Sequence, residues 1–289
     1  AIQTYFSEGE GVYLKDRLSE TLWNDLVHFE GNANAFRILT HRFKGRRDGG
    51  FVMTYSTLAS IVKYPFSSKF SGRHGKFGFF GTEKDNFVKI ADELGILCLD
   101  KGADAVRYSR HPLAYLVEAA DDICYEIMDI EDSHKLKILS YEQTQCLLLG
   151  FFDETVKNQI LMRLDMENVT DENEKVVYMR ACVIGKLVNE CVAAFVAHED
   201  EILAGIFEGS LIDHIQPLQR DAYKRCTEIS YKKIYNSKPV LDVELSGYKI
   251  LETLMGQMVE AAVKPEKYQS RQLIKRVSSQ YDIEAPDLE

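Results

Sequence analysis

Apolar residues recur at intervals of three and four along most of the chain, which is the spacing that places side chains on one side of an α-helix. Leu18, Leu22 and Leu26 show the pattern. Caps and breaks set helix limits: Thr54 begins one that ends before Pro65, and Ser140 with Gln143 forms a capping box. Further helices are predicted around 33–39, from 82 to a stop at Gly95, over 112–132, after Thr170 to about 195, and over 219–235 and 240–262.

Two stretches interrupt this pattern. Residues 66–81 are rich in Gly, Ser, Lys and Phe and are predicted to form a long surface loop. Residues 103–108 are predicted to form a short hairpin arm. Since no repeat and no Pro-rich linker divides the sequence, the prediction is a single all-α unit over residues 1–289.

Composition and charge narrow the function. The chain has 289 residues and a formal net charge of −10, which argues against charge-driven binding to nucleic acid or to anionic membranes. No apolar run approaches the roughly 20 residues of a membrane span, and no signal peptide is visible. Six cysteines lie far apart without a CxxC pair, which indicates reduced, mostly buried thiols in a cytoplasmic protein.

Residues 110–129 carry the most informative polar pattern. Asp121, Tyr125 and Asp129 are four residues apart, so they stack along one line of the predicted helix. The apolar face beside them is predicted to comprise Leu113, Leu116, Val117, Ala120, Cys124 and Ile127. Small residues next to Asp121 leave room for a ligand or a metal, whereas the alternative is a solvated acidic face.

Three other segments have a functional and a structural interpretation each. Asn32 is predicted at a helix start, where N–H groups favour phosphate, or else it is only the N-cap. Lys63 and Tyr64 lie at a predicted helix C-terminus, where a lysine is favourable for the helix dipole alone. The basic run of residues 41–47 suits a polyphosphate or a nucleic-acid strand, or is a solvated loop.

A metal site is not complete in the sequence. Magnesium and manganese need several oxygen or nitrogen ligands, so Asp121 alone is insufficient. None of the seven histidines belongs to an H-x-x-x-H pair or a His-Asp dipeptide.

Taken together, these segments resemble the bacterial deoxyguanosinetriphosphate triphosphohydrolase family, within the HD-domain phosphohydrolases. The residues that carry the resemblance are His28-Phe29-Glu30-Gly31-Asn32-Ala33, Lys63-Tyr64, Arg110-His111-Pro112-Leu113 and Glu118-Ala119-Ala120-Asp121-Asp122-Ile123-Cys124-Tyr125. The resemblance implies an all-α, HD-domain-like multi-helix fold. It also implies that the chain is the C-terminal part of a longer polypeptide, with the family's His and His-Asp metal motifs and its catalytic His and Glu expected upstream of Ala1.

The implied activity is metal-dependent hydrolysis of a dNTP, with dGTP the first choice, to deoxynucleoside and tripolyphosphate. A divalent metal, Mn²⁺ or Mg²⁺, would polarise a phosphoryl oxygen and lower the pKa of a bound water. By resemblance Asp121 is the metal ligand of this sequence and Asp122 is a weaker candidate. Asn32 and Lys63 would contact the phosphates, and Tyr64 would line the same pocket.

The resemblance also assigns sugar contacts and partners. Tyr125 would pack on the deoxyribose where a 2′-hydroxyl would collide, and Asp129 would accept a hydrogen bond from the 3′-hydroxyl. The implied assembly is a homo-oligomer, commonly a hexamer, with a second dNTP or single-stranded DNA as effector and residues 41–47 as a candidate contact. The alternatives are an HD phosphohydrolase for another nucleotide and a catalytically inactive nucleotide-binding or regulatory helical module.

Overall fold

Helices dominate the computed structural model, which describes residues 1–45 and 48–281. The α-helices are α1 (Ile2–Ser7), α2 (Glu20–Val27), α3 (Gly31–Thr40), α4 (Tyr55–Ser60), α5 (Lys84–Leu94), α6 (Pro112–Lys135), α7 (Tyr141–Leu149), α8 (Glu154–Met166), α9 (Glu172–Ala197), α10 (Glu199–Leu203), α11 (Pro217–Ile229), α12 (Lys238–Val263) and α13 (Tyr268–Ile274). The predicted all-α class is confirmed. Within the described residues, none of these helices combines the length and apolarity needed to cross a membrane.

Capping residues fix several helix ends where the sequence predicts them. The Thr54 side chain accepts from the Thr57 N–H at the start of α4. Ser140 and Gln143 form the reciprocal capping box of α7. Gly95 ends α5 in the left-handed conformation, with φ of 66°, which a glycine adopts without strain.

The chain divides into two compact units, residues 1–114 with 244–289 and residues 115–243. The core of the first unit is aromatic, with Phe36, Phe79 and Phe87 buried together. The core of the second unit is mainly aliphatic and includes Ile127, Leu148 and Leu187. The single unit over residues 1–289 stays a prediction.

The surface loop expected at residues 66–81 is wrong. Phe77 and Phe79 are completely buried and Phe80 is nearly so. Short 3₁₀ turns at Ser68–Phe70, Gly72–His74 and Gly81–Glu83 wind the segment. Its glycines and serines resemble loop composition, but burying three phenylalanine rings outweighs that signal.

The predicted hairpin is present and begins earlier than expected. Strand β1 (Cys98–Lys101) pairs antiparallel with β2 (Val106–Tyr108). Residues 65–67 extend this pairing, because the Tyr108 N–H donates to the Pro65 carbonyl at 2.9 Å and Phe66 bridges to Arg107.

The six cysteines are free thiols, but the expectation that most are buried is wrong. Only Cys191 and Cys226 are buried, whereas Cys98, Cys124 and Cys146 are exposed. The exposed thiols lie next to apolar residues in the sequence, but the thiol positions themselves do not face a core.

Candidate functional site

The predicted site residues fall into two sets. Asn32, Lys63 and Tyr64 belong to the first unit, whereas Asp121, Tyr125 and Asp129 belong to the second.

A buried glutamate caps the helix that carries Asn32. Glu30 is the N-cap of α3, and its carboxylate accepts from the Asn32 N–H at 2.5 Å. The interpretation of Asn32 as the N-cap is therefore wrong, because Asn32 lies in the first turn and its N–H is already bonded. A carboxylate at this end of the helix satisfies the dipole in the way that an anionic ligand would.

Lys76 completes this cluster and was not found from the sequence. Its ammonium donates to the other Glu30 oxygen at 2.7 Å. The Asn32 side-chain amide lies 3.5 Å from the same oxygen, at the long limit of a hydrogen bond. Lys76 is 46 residues from Glu30 in sequence, so no local pattern connects the two.

Lys63 and Tyr64 follow α4 rather than lying in it, since the helix ends at Ser60. Both are half-buried, and the Lys63 ammonium lies 5.8 Å from the centre of the Tyr64 ring. Tyr64 is in turn edge-on to Phe66, with 6.2 Å between ring centres. Lys63 lies two residues after the C-cap Ile61, so its favourable position at the end of α4 stays an alternative explanation, and Tyr64 contacts the segment that follows.

The apolar face predicted for α6 is wrong in part. Leu113, Val117 and Cys124 are exposed, whereas Ile127 is buried as expected. The buried side also holds Glu126, only 5% exposed. The helix is rotated from the expected position, and hydroxyl groups of the segment packed against it compensate the burial of the Glu126 carboxylate.

Three hydroxyl groups donate to one side of α6. The Tyr223 hydroxyl donates to the backbone carbonyl of Asp122 at 3.0 Å. The Glu126 carboxylate accepts from Thr227 at 3.0 Å and from Ser230 at 2.8 Å. These donors come from α11 and from the π-helical turn Ser230–Ile234 that continues it.

The same turn brings a tyrosine to a predicted site residue. The Tyr235 hydroxyl donates to Asp129 Oδ2 at 2.7 Å, and both side chains are half-buried. Asp121 and Tyr125 lie on the exposed part of α6, with Tyr125 61% exposed. Tyr235 was missed because 106 residues separate it from Asp129 and no periodic pattern connects them.

A cleft of about 600 Å³ opens along this junction. It is within the range of small-molecule sites. Its walls are polar and aromatic: Asp122, Tyr125, Glu126, Ser210, Ile212, Asp213, Arg220, Tyr223, Lys224, Thr227, Glu228, Tyr231 and Tyr235. The Arg220 Nε atom is buried and has no hydrogen-bonding partner among the described residues.

Burial dominates the protonation of groups in the cleft. It raises the pKa of the Glu126 carboxyl above its usual value, although the Ser230 and Thr227 hydroxyls partly oppose this. Cys226 is fully buried and is not one of the lining residues; burial and then the nearby Glu126 charge raise its pKa to about 12. Burial, followed by the hydrogen bonds with Asp129 and Tyr125, raises the pKa of Tyr235 and keeps its hydroxyl a donor at neutral pH.

The metal ligands in the described part of the chain are insufficient for a site. No group of three His, Cys, Asp or Glu side chains comes together there in a way that could hold a metal ion. Asp121 offers one carboxylate, which suits Mg²⁺ or Mn²⁺ as a single ligand. The described residues therefore do not form a metal centre by themselves.

The basic run of residues 41–47 is only partly within the described chain, because Arg46 and Arg47 lie outside it. Arg42 pairs with Asp48 at 3.1 Å. Burial, then the Arg37 charge, lowers the pKa of His41 and favours its neutral form.

Similar proteins agree on one class, the nucleotide triphosphohydrolases. The chain is 33% identical over 267 residues to a Pseudomonas aeruginosa protein named deoxyguanosinetriphosphate triphosphohydrolase-like, covering 91% of this chain and 59% of the relative. A Synechocystis protein of the same name is 31% identical over 304 residues, covering 99% and 65%. A Yersinia enterocolitica deoxyguanosinetriphosphate triphosphohydrolase is 26% identical over 250 residues, covering 82% and 48%. No protein-family model matches the chain.

The chain is similar to proteins of the deoxyguanosinetriphosphate triphosphohydrolase family over 91–99% of its own length. It spans about half to two thirds of the length of these curated relatives. The family resemblance inferred from residues 28–33, 63–64 and 110–125 is thereby confirmed.

Proposed function

We propose that this protein hydrolyses a deoxynucleoside triphosphate, with dGTP the first choice, to deoxynucleoside and tripolyphosphate. The names of its relatives support the reaction class. The observation that carries the proposal is the cleft beside α6, because Tyr125 lines it and Tyr235, which also lines it, bonds to Asp129.

The charge of the cleft favours the nucleoside end of the substrate. Four carboxyl groups line it, against the two cationic side chains of Arg220 and Lys224. A triphosphate carries several negative charges and is repelled by such a wall, whereas a sugar and a base offer hydrogen-bond donors to it. Tyr125 is proposed to pack on the deoxyribose and Asp129 to accept from the 3′-hydroxyl.

The phosphates are proposed to contact Asn32 and Lys63, with Tyr64 in the same pocket. Lys63 serves as a point charge for the phosphate oxygens. Lys76 adds a second cation close to Asn32, although Glu30 offsets part of its charge at 2.7 Å. The Glu30 carboxylate bonds the Asn32 N–H, so the side-chain amide is the group that Asn32 offers to a phosphate.

Asp121 is proposed as one ligand of a divalent metal, Mn²⁺ or Mg²⁺. The other ligands have to come from groups beyond those that the described residues bring together. Asp122 stays a second candidate, since its side chain is half-buried next to the exposed Asp121.

Assembly and regulation are proposals of the same kind. A homo-oligomer, with a hexamer as the first choice, and a second dNTP or single-stranded DNA as effector follow from the family resemblance. The described basic residues of the segment 41–47 are the candidate effector contact. A cytoplasmic location is proposed because all six cysteines are free thiols.

Sugar selection by Tyr125 tests the proposed orientation of the substrate. Tyr125→Ala removes the ring that would collide with a 2′-hydroxyl, so the preference for dGTP over GTP in kcat/KM should fall by about tenfold or more. Tyr268→Ala removes another exposed tyrosine, outside the cleft, and serves as the control. An unchanged preference in Tyr125→Ala would remove Tyr125 from sugar selection.

A further inference from the structure

The hydroxyl of Tyr235 occupies one of the two oxygens of Asp129. It donates to Oδ2 at 2.7 Å, a short bond of the kind that charged acceptors form. A carboxylate oxygen accepts further bonds, so Oδ1 still offers an acceptor to a ligand. Because both side chains are half-buried, this bond is less exposed to competing water than a surface contact.

The backbone before Tyr235 explains how the ring reaches α6. Residues Ser230–Ile234 form a π-helical turn directly after α11, and Tyr235 ends it. A π turn widens the helix by one residue per turn and shifts the direction of the side chains that follow, and such turns are frequent at functional sites. Ser230 at its start is fixed by Glu126, and the Tyr231 ring lies edge-on to Tyr235 with 5.6 Å between ring centres.

We infer that Tyr235 is a positioning residue for the 3′-hydroxyl of the nucleotide. Its hydroxyl holds the Asp129 carboxylate in one rotamer, so that Oδ1 is oriented to accept from the sugar. This inference rests on the proposed function, because it takes Asp129 as the contact of the 3′-hydroxyl. It adds a residue from the end of α11 to the sugar site, one that neither the spacing on α6 nor the motifs of the sequence include.

The inference predicts a loss that depends on the sugar. Tyr235→Phe keeps the ring and removes the hydroxyl, and with it the bond to Asp129 and the weaker interaction with Tyr125. Binding of dGTP should weaken on the order of tenfold, the effect of one hydrogen bond to a charged group. Binding of 2′,3′-dideoxy-GTP should stay unchanged, because that nucleotide has no 3′-hydroxyl for Asp129 to accept from.

Isothermal titration calorimetry measures the affinity of both nucleotides for four proteins. These are the wild type, Tyr235→Phe, Asp129→Ala and the double variant. If Tyr235 acts through Asp129, the double variant binds dGTP no more weakly than Asp129→Ala alone. Tyr178→Phe removes another half-buried tyrosine hydroxyl of the same unit and should bind both nucleotides as the wild type does. Thermal unfolding followed by circular dichroism checks that each variant is folded.

The outcomes separate the inference from the function on which it rests. If Tyr235→Phe loses the same affinity for dGTP and for the dideoxy analogue, or loses none for dGTP, the positioning role is overturned. The sugar contact is still retained in that case if Asp129→Ala loses affinity for dGTP only. If Asp129→Ala binds both nucleotides as the wild type does, or the wild type binds neither, the proposed sugar contact fails and the role of Tyr235 fails with it.

Discussion

At the scale of single residues, the Glu126 carboxyl is the clearest case of a desolvation cost that hydrogen bonds of the fold have to compensate. It is 5% exposed and is held by two hydroxyl groups from the end of α11. A buried carboxylate loses the hydration that stabilises its charge, and two neutral donors restore only part of it. The net result is the raised pKa of this group.

Glu126→Gln should therefore change how stability depends on pH. A raised folded-state pKa means that the contribution of Glu126 is fully present below its ordinary value of 4.5 and is lost as pH rises through the folded-state value. The glutamine cannot ionise, so the free energy of unfolding of the variant, relative to wild type, should increase from pH 4 to pH 8. Urea denaturation at a series of pH values measures this difference.

The control for that experiment removes a glutamate from an exposed position. Glu93→Gln, on the exposed side of α5, makes the same change of net charge. If the difference for Glu126→Gln is as constant with pH as that of the control, Glu126 does not titrate differently in the folded chain.

The position of a single residue can be predicted from the sequence only where it belongs to a local pattern, such as a helical spacing. The four-residue spacing on α6 places Asp121, Tyr125 and Asp129 along one line, because helix geometry requires it. The partners of that line are not local: Tyr235 is 106 residues from Asp129. Glu30 was missed as the cap of α3 because Ser, Thr, Asp and Asn, rather than Glu, are the common N-caps.

At the scale of elements, the segment of residues 66–81 supports the Lys63–Tyr64 pair. Gly78 donates to the Phe66 carbonyl at 3.1 Å. A Cβ added to Gly78 would approach the Tyr64 carbonyl oxygen and Val62 to less than 3.0 Å. Only a glycine allows the two pieces of backbone to pack this closely.

Gly78→Ala is therefore expected to lower the free energy of unfolding by about 1–3 kcal/mol, the usual cost of overpacking. Gly185→Ala is the matched control, because nothing lies within 4 Å of a Cβ at this exposed position inside α9. There the substitution should stabilise the chain by roughly 0.5–1 kcal/mol through helix propensity. Chemical denaturation measures both, and a Gly78→Ala variant as stable as wild type would contradict the close packing.

Helix positions were predictable because caps and periodicity are local signals. Thr54, Ser140 and Gly95 end or begin helices where the sequence indicates. The burial of residues 66–81 and the rotation of α6 were not predictable, since both depend on which distant groups supply apolar area or hydrogen bonds. Glu126 shows the reason: an acidic residue is buried once Thr227 and Ser230 satisfy it.

At the scale of the whole molecule, the predicted site residues are distributed over two compact units. The sequence gives no sign of this division, because no change of composition marks residue 115 or 243. The family and the helical class were predictable because motifs and periodicity survive at 26–33% identity. The metal centre stays a prediction, since the described residues bring together no group of three ligands.

Product analysis with dGTP and Mn²⁺ identifies the reaction directly. Deoxyguanosine and tripolyphosphate should be released in equal amounts, and the release should be blocked by EDTA and lost in Asp121→Ala. The longest available form of the protein should be assayed beside the 289-residue chain. Release of dGMP with pyrophosphate, of dGDP with phosphate, or of no product by either form would contradict the proposed triphosphohydrolase activity.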